Sequence, residues 1–251
     1  MAITLACASI GVIEAAPIVL TNPGFETDAA ADGGGFNAAV TGWGPFGTGG
    51  SPATSFKGTF DPGAANGAIY TGENNYFLLQ ATPNGGVAFS GGGQNVSAPI
   101  QANMRYTLTV DVASYSAGFP FPSVAPFDDT YVGTGQLIFA RLVNVTGGSI
   151  GFAQTAGVTL VSNDAAPIGT VSTMATWTRV YETGAAPADL GGTLAIQLFL
   201  QSDAAGGQRT ALFDNVALDV SPIPEPSSFA LMGVGCLVLA GWRRRYSQKT
   251  K

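Results

Sequence analysis

Apolar and polar residues alternate along several stretches of this chain. The clearest case is 106–114, where Tyr106, Leu108 and Val110 alternate with Thr107 and Thr109. A period of two is typical of a strand with one buried face. We predict further strands from alternation or from enrichment in strand-forming residues, at 18–20, 68–70, 76–80, 87–90, 94–96, 136–144, 150–152, 176–183, 194–201 and 211–220.

These many short strands, separated by glycine-rich turns, predict the fold class. No convincing amphipathic helix pattern interrupts residues 17–220. Glycine accounts for 35 of 251 residues and charged residues for only 10%, which suits a turn-rich extracellular β protein. We therefore predict an all-β body at 17–220, folded as an antiparallel jelly-roll sandwich.

The last predicted strand contains an acidic residue in an apolar row. Alternation places Leu212, Asp214, Val216, Leu218 and Val220 on one inward face. A buried carboxylate is costly unless it is paired or binds a metal. Asp214 is therefore either a metal ligand or an acceptor of hydrogen bonds from backbone amides across the strand pair.

The C-terminal end is apolar and then basic. Residues 229–242 carry no charge, and with the two preceding serines they would form a helix about 24 Å long. This is short for a bilayer core of about 30 Å, but flanking arginines can compensate by snorkelling. We predict a Pro-rich linker at 221–228, a short transmembrane helix plus arginine cluster at 229–245 and a polar tail at 246–251, with the body outside the membrane. A buried core helix is the alternative.

The N-terminal end is apolar as well. Residues 2–13 are mostly small and apolar, and Glu14-Ala15-Ala16 follows before Pro17. This pattern predicts a secretory signal peptide at 1–15, cleaved after Ala15, although a basic start is missing. The alternative is a first buried strand.

The C-terminal pattern resembles a known sorting signal. Pro224, Glu225 and Pro226, then a short apolar run, then Arg243, Arg244 and Arg245 resemble the PEP-CTERM sorting domain. The resemblance covers about the last thirty residues. It implies export and processing by an exosortase-type enzyme, with the helix as a membrane anchor before processing.

A second resemblance covers most of the body. Asn22-Pro23-Gly24-Phe25-Glu26, Trp43, the strand from Tyr106, Trp177 and the segment 213–218 resemble a carbohydrate-binding-module or galactose-binding-like jelly roll. In that family a structural calcium ion often joins the first strand to the last. The matching positions here are Glu26 and Asp214, so the resemblance implies a Ca²⁺ site there.

Charge and composition exclude several functions. Between Pro17 and Pro226 there are five basic and fifteen acidic residues, a net charge of −10, which predicts repulsion of nucleic acid and of anionic lipid. The two cysteines, Cys7 and Cys236, lie in the apolar ends, so the body has no thiol chemistry. The chain has no histidine, which excludes Ser-His-Asp triads and histidine-ligated zinc.

We therefore predict a non-catalytic exported protein of the cell surface or matrix, associated with extracellular polysaccharide. Aromatic rings suit sugar stacking, and the candidate glycan contacts are Trp43, Tyr70, Tyr76, Tyr115, Phe119 and Tyr131. One alternative is a structural matrix protein without a defined ligand. The other is a weak glycoside-acting enzyme, for which the paired Asp128 and Asp129 are the best carboxylates.

Overall fold

The structure is a computed structural model that describes residues 15–28, 30, 36–38, 40–46, 55–61, 75–81, 88–114, 137–145, 159–163, 174–202, 209–223 and 235. Within these residues the chain forms twelve β-strands. In chain order they are β1 (Ala16–Ile18), β2 (Phe36–Asn37), β3 (Gly44–Phe46), β4 (Ser55–Phe60), β5 (Tyr76–Ala81), β6 (Ala88–Pro99), β7 (Met104–Ser114), β8 (Leu137–Asn144), β9 (Thr159–Asn163), β10 (Ala175–Glu182), β11 (Thr193–Ser202) and β12 (Arg209–Pro222).

The strands form two antiparallel sheets. The larger sheet has the order β2-β4-β5-β12-β7-β10-β9, with β1 also paired to β12. The smaller sheet has the order β3-β6-β11-β8. The long strand β12 lies at the centre of the larger sheet, between β5 and β7. The predicted all-β antiparallel sandwich is confirmed.

One large apolar core lies between the sheets. The larger sheet contributes Phe77 and Leu79 from β5, alternate residues of β7, and Phe213 from β12, while the smaller sheet contributes alternate residues of β11 from Leu194 to Leu200. Arg179 of β10 is also buried in this interior, 1% exposed. Its guanidinium lies 4.8 Å from the ring centre of Trp177, and its Nη1 donates to the Ala140 carbonyl at 2.7 Å.

A β-bulge in β12 changes which of its side chains face the core, so the predicted inward row is wrong in part. The register with β7 shifts between Asp214 and Ala217, and Asn215 has a left-handed backbone with φ of +47°. Before the bulge, Ala211 and Phe213 face the core, and after it Val216 and Leu218 do. Because residues alternate along a strand, Leu212 and Asp214 lie on the outer face of the larger sheet.

Most of the predicted strands that fall on described residues are present. The segments predicted at 87–90 and 94–96 join in the single strand β6, whereas β2, β3, β4 and β9 were not predicted. The strands predicted at 68–70 and 150–152 lie outside the described residues, as do the signal peptide core and nearly all of 224–251. Across the part of the chain that is described, no helix is long and apolar enough to cross a membrane.

Candidate functional site

Buried side chains also cover the outer face of the larger sheet. We call the five residues Thr176, Asp111, Asp214, Tyr76 and Phe60 the outer row, because each comes from a neighbouring strand. The register pairs Thr176 with Asp111, Asp111 with Asp214, and Tyr76 with Phe60. The register of β5 with β12 ends at Phe213–Phe77, and Tyr76 and Asp214 are the next residues along these two antiparallel strands. Five strands span about 19 Å at roughly 4.8 Å per step.

The outer row is open at one end and buried at the other. Thr176 is exposed and Asp111 is half-buried. Asp214, Tyr76 and Phe60 are 1%, 2% and 3% exposed. In the adjacent row, Leu212 is completely buried. The outer row is therefore polar and accessible to solvent at β10 and β7, and buried from β12 to β4, with the Asp214 carboxyl group at the start of the buried part.

The two carboxyl groups of the outer row face each other. Directly opposed residues on antiparallel strands have Cβ atoms about 4.5–5.5 Å apart. Asp111 Oδ1 accepts a hydrogen bond from Thr176 Oγ1 at 2.5 Å, and its Oδ2 accepts one from Asn215 Nδ2 at 3.1 Å. Asp214 Oδ1 accepts a hydrogen bond from the Asn215 backbone N–H at 2.7 Å, and its Oδ2 is buried from solvent. The two acids thus differ sharply in exposure.

The outer face of the smaller sheet is a second buried surface with different chemistry. Gln197 and Phe199 of β11 are 0% and 2% exposed there, outside the main core. Gln197 Oε1 accepts a hydrogen bond from Arg141 Nε at 2.5 Å, and burial lowers the pKa of Arg141. Among the residues described on β11 and β8, this face carries no carboxyl group. The outer row therefore differs from this face in having two opposed carboxyl groups.

The two predicted calcium ligands, Glu26 and Asp214, accept hydrogen bonds from different residues. Glu26 accepts hydrogen bonds from the Asn75 backbone N–H at 3.1 Å and from Asn75 Nδ2 at 2.8 Å. Asp214 accepts a hydrogen bond from the backbone N–H of the next residue, Asn215, on its own strand, whereas the alternative interpretation expected amides across the strand pair. Calcium takes six to eight oxygen ligands, and the described residues contain no group of three or more Asp, Glu or Cys side chains that could hold a metal. The calcium site stays a prediction.

The predicted glycan contacts divide into buried residues and residues outside the described part. Trp43 is 3% exposed and packs in the core, with its ring centre 5.2 Å from that of Phe25. Tyr76 lies in the outer row. The other four contacts, Tyr70, Tyr115, Phe119 and Tyr131, lie outside the described residues, as do Asp128 and Asp129. Their roles stay predictions.

Sequence reasoning missed Asp111, Phe60, Thr176 and Asn215 as site residues. The alternation at 106–114 did place Asp111 on the polar face of a strand. Its importance depends on β7 pairing with β12, which local pattern does not reveal. Phe60 belongs to β4, a strand that was not predicted at all.

A protein-family model matches most of the chain. The model described as HpiC1 cyclase matches residues 16–219. The chain belongs to the HpiC1 cyclase family. No curated protein matches it significantly.

Solved structures with a similar fold include cyclases from Fischerella, one of which is described as a Stig cyclase. Fisc from Fischerella sp. TAU, in complex with (3Z)-3-(1-methyl-2-pyrrolidinylidene)-3H-indole, has a TM-score of 0.58 and 20% identity, covering 84% of this chain and 100% of that chain. A cyclase from Fischerella sp. TAU, in complex with 4-(1H-indol-3-yl)butan-2-one, has a TM-score of 0.56 and 19% identity, again covering 84% and 100%. The module TmCBM61, in complex with beta-1,4-galactotriose, has a TM-score of 0.40 and 11% identity, covering 81% and 98%.

Membership of the HpiC1 cyclase family corrects the prediction of a non-catalytic protein, which is wrong. The missing histidine excludes histidine chemistry, but proton transfer by a carboxylic acid needs no histidine. The body resembles a cyclase-type sandwich, and its assignment as a galactose-binding body stays a prediction.

The sorting signal is confirmed. The PEP-CTERM protein-sorting motif matches residues 222–245, which include Pro224, Glu225, Pro226 and the arginine cluster. This HpiC1-family protein is therefore exported and processed by an exosortase at the cell surface.

Proposed function

We propose that this protein is an exported cyclase that closes a ring on an indole-type substrate held on the outer row. The observation that carries the proposal is the position of Asp214, a carboxyl group 1% exposed beside Tyr76 and Leu212 in a chain of a cyclase family. The indole ligands of the two Fischerella proteins suggest the substrate class.

Burial gives Asp214 the properties of a proton donor. A carboxyl group in apolar surroundings favours its neutral form, because the charged form loses hydration. Neutral Asp214 can transfer its proton to an alkene carbon of the substrate, which leaves a carbocation. The electrons of the indole ring then form the new carbon–carbon bond. The proton lost from the attacked ring carbon returns to the Asp214 carboxylate, so the product is an isomer of the substrate.

The neighbours of Asp214 suit this sequence of steps. Aromatic rings attract cations at their faces, and Tyr76 and Phe60 lie on the buried side of the acid. The low exposure of these residues keeps water from the carbocation, which would otherwise be hydrated instead of cyclised. Asp111 and Thr176 mark the side from which a substrate can enter.

The test is turnover of an indole that carries an alkene side chain, followed by chromatography and mass spectrometry for an isomeric product. The full-length chain is purified in detergent. Asp214→Asn keeps the size of the side chain and removes the transferable proton, so we expect turnover to fall about 100-fold to 10,000-fold.

Asp219→Asn is the matched control for this experiment. Asp219 lies on the same strand after the bulge, is half-buried and pairs with Pro17 and Thr107. We expect this variant to keep wild-type turnover. Wild-type turnover in Asp214→Asn, or no turnover by the wild type, contradicts the proposal.

Association with extracellular polysaccharide is a further proposal, and the sorting signal is what supports it. The acidic body is compatible with neutral glycans. A glycan array probed with the full-length chain tests this point. Binding that survives Asp214→Asn would place glycan recognition away from the cyclase site, and no binding to any glycan would remove the proposal.

A further inference from the structure

Asn215 occupies an unusual backbone position next to the buried acid. It lies in the β12 bulge and has φ of +47°. Among residues with a Cβ atom, asparagine and aspartate adopt this left-handed conformation most readily. The bulge turns the Asn215 side chain toward β7, where it reaches Asp111.

Asn215 contacts both carboxyl groups of the outer row. Its backbone N–H donates to Asp214 Oδ1 at 2.7 Å, and its Nδ2 donates to Asp111 Oδ2 at 3.1 Å. Thr176 Oγ1 holds the other oxygen of Asp111 at 2.5 Å. A single residue thus connects two acids that the register places opposite each other.

The hydrogen bonds from Asn215 fix the directions of both carboxyl groups. Directly opposed side chains of opposite charge attract each other across paired strands, and two carboxyl groups lack that attraction. Donors fixed at Asn215 hold each carboxyl group at a defined place and direction. Site groups must be held to within about 0.5 Å of the productive geometry, and their hydrogen-bonded neighbours supply that rigidity.

We propose that Asn215 is a positioning residue that fixes Asp214 through its backbone and Asp111 through its side chain. The inference depends on the proposed function, because it concerns the geometry of that same site. Asp111 is then a fixed hydrogen-bond acceptor at the open end, suited to an N–H group of the substrate.

Asn215→Asp is the decisive variant. Aspartate keeps the size, the left-handed backbone and the backbone N–H, but it replaces the Nδ2 donor with an oxygen facing Asp111. A hydrogen bond to a charged group is worth roughly tenfold or more in a rate or binding constant. We expect kcat to fall about tenfold or more, with little change in Tm. Asn95→Asp, at an exposed position of β6, is the matched control and keeps the wild-type kcat.

The exchanged pair Asn215→Asp with Asp111→Asn separates positioning from stability. The donor now lies at 111 and the acceptor at 215, so the hydrogen bond re-forms in reverse. Recovery of kcat to the level of Asp111→Asn alone supports positioning. No recovery of kcat in the exchanged pair, or a wild-type kcat in Asn215→Asp, overturns it.

A second measurement does not depend on turnover. The side-chain amide signals of Asn215 in ¹⁵N-labelled protein report the contact with Asp111 directly, and Asp111→Asn should shift them. Unchanged signals overturn the inference. If the wild type turns over no indole, the proposed function fails. The inference about Asn215 then stands only if 4-(1H-indol-3-yl)butan-2-one shifts the same amide signals, and it fails if the compound leaves them unchanged.

Discussion

At the scale of the residue, the core depends on one close approach between the sheets. An added Cβ at Gly92 of β6 would lie 2.4 Å from Phe77 Cζ and 2.6 Å from its Cε1. Phe77 cannot move aside easily, because it is 1% exposed and its ring stacks on Phe25 at 5.1 Å. A glycine at this position therefore allows the aromatic cluster to pack under β6.

We predict that Gly92→Ala destabilises the protein by about 1–3 kcal/mol, the usual cost of overpacking a core. Denaturant unfolding of Gly92→Ala and of the wild type measures this loss of stability. The matched control is Gly184→Ala, where an added Cβ meets nothing within 4 Å and φ is not positive. The control should stay within about 0.5 kcal/mol of wild type. Equal stability of the two variants would contradict this packing.

At the scale of the element, the segment from Thr21 to Asp28 is held by side chains from the sheets. Gln94 of β6 accepts from the Thr21 N–H at 2.8 Å and donates to the carbonyls of Thr21 and Gly42, at 2.7 and 3.1 Å. The Val216 N–H donates to the Pro23 carbonyl at 3.0 Å, so the segment also lies beside the β12 bulge. The position of Asp214 is thus connected to this segment.

Gln94→Ala should cost about 1–3 kcal/mol of unfolding free energy, because it leaves three backbone groups without these hydrogen bonds. Thermal or denaturant unfolding measures the loss. Asn95→Ala changes the exposed neighbour on the same strand and should be nearly neutral. Hydrogen exchange of the Thr21 amide should speed up in Gln94→Ala alone, and unchanged exchange would show that the segment is held in another way.

The elements also show what local pattern can and cannot predict. Alternation predicted β7 and β10 well because each buries one face, and it predicted β11 although both faces of that strand are buried. It also assigned Asp214 to the core, because a bulge is set by φ at Asn215 and by pairing with β7, which a single strand does not reveal. Arg179 was unpredictable for a similar reason, since its guanidinium donates to the Ala140 carbonyl of β8, a strand of the other sheet.

At the scale of the whole molecule, both ends of the folded body lie together. Ala16 pairs with Val220, and just beyond the ends of β12 and β7 the Ile223 N–H donates to the Asn103 carbonyl at 2.8 Å. The predicted cleavage after Ala15 and the sorting residues from Pro224 therefore fall just outside the strands. Processing at both points would leave the larger sheet complete.

We predict that the exported protein begins at Ala16 and ends within or just after Pro224–Pro226. Mass spectrometry of the protein recovered from the cell surface measures both ends. A chain that starts inside β1, or that ends before Pro222, would lose ladder pairs with β12 or β7 and would contradict this organisation. A host without the exosortase is the control, and it should yield the unprocessed C-terminus.

The function was harder to predict than the fold, because the site is assembled from strands that are distant in the sequence. Composition and the number of strands indicate a sandwich, because both follow from the local structural preferences of the residues. The outer row draws on five strands, from β4 to β10, and no local motif joins them. A carboxyl group becomes a useful acid only through burial, which appears when Asp214 is seen beside Tyr76 and Leu212.

The most direct test is a crystal structure of the protein with 4-(1H-indol-3-yl)butan-2-one as the probe. We expect the indole ring on the outer row, against Tyr76 and within reach of the Asp214 carboxyl group. An indole bound on the outer face of the smaller sheet near Gln197, or between the sheets, would contradict the account.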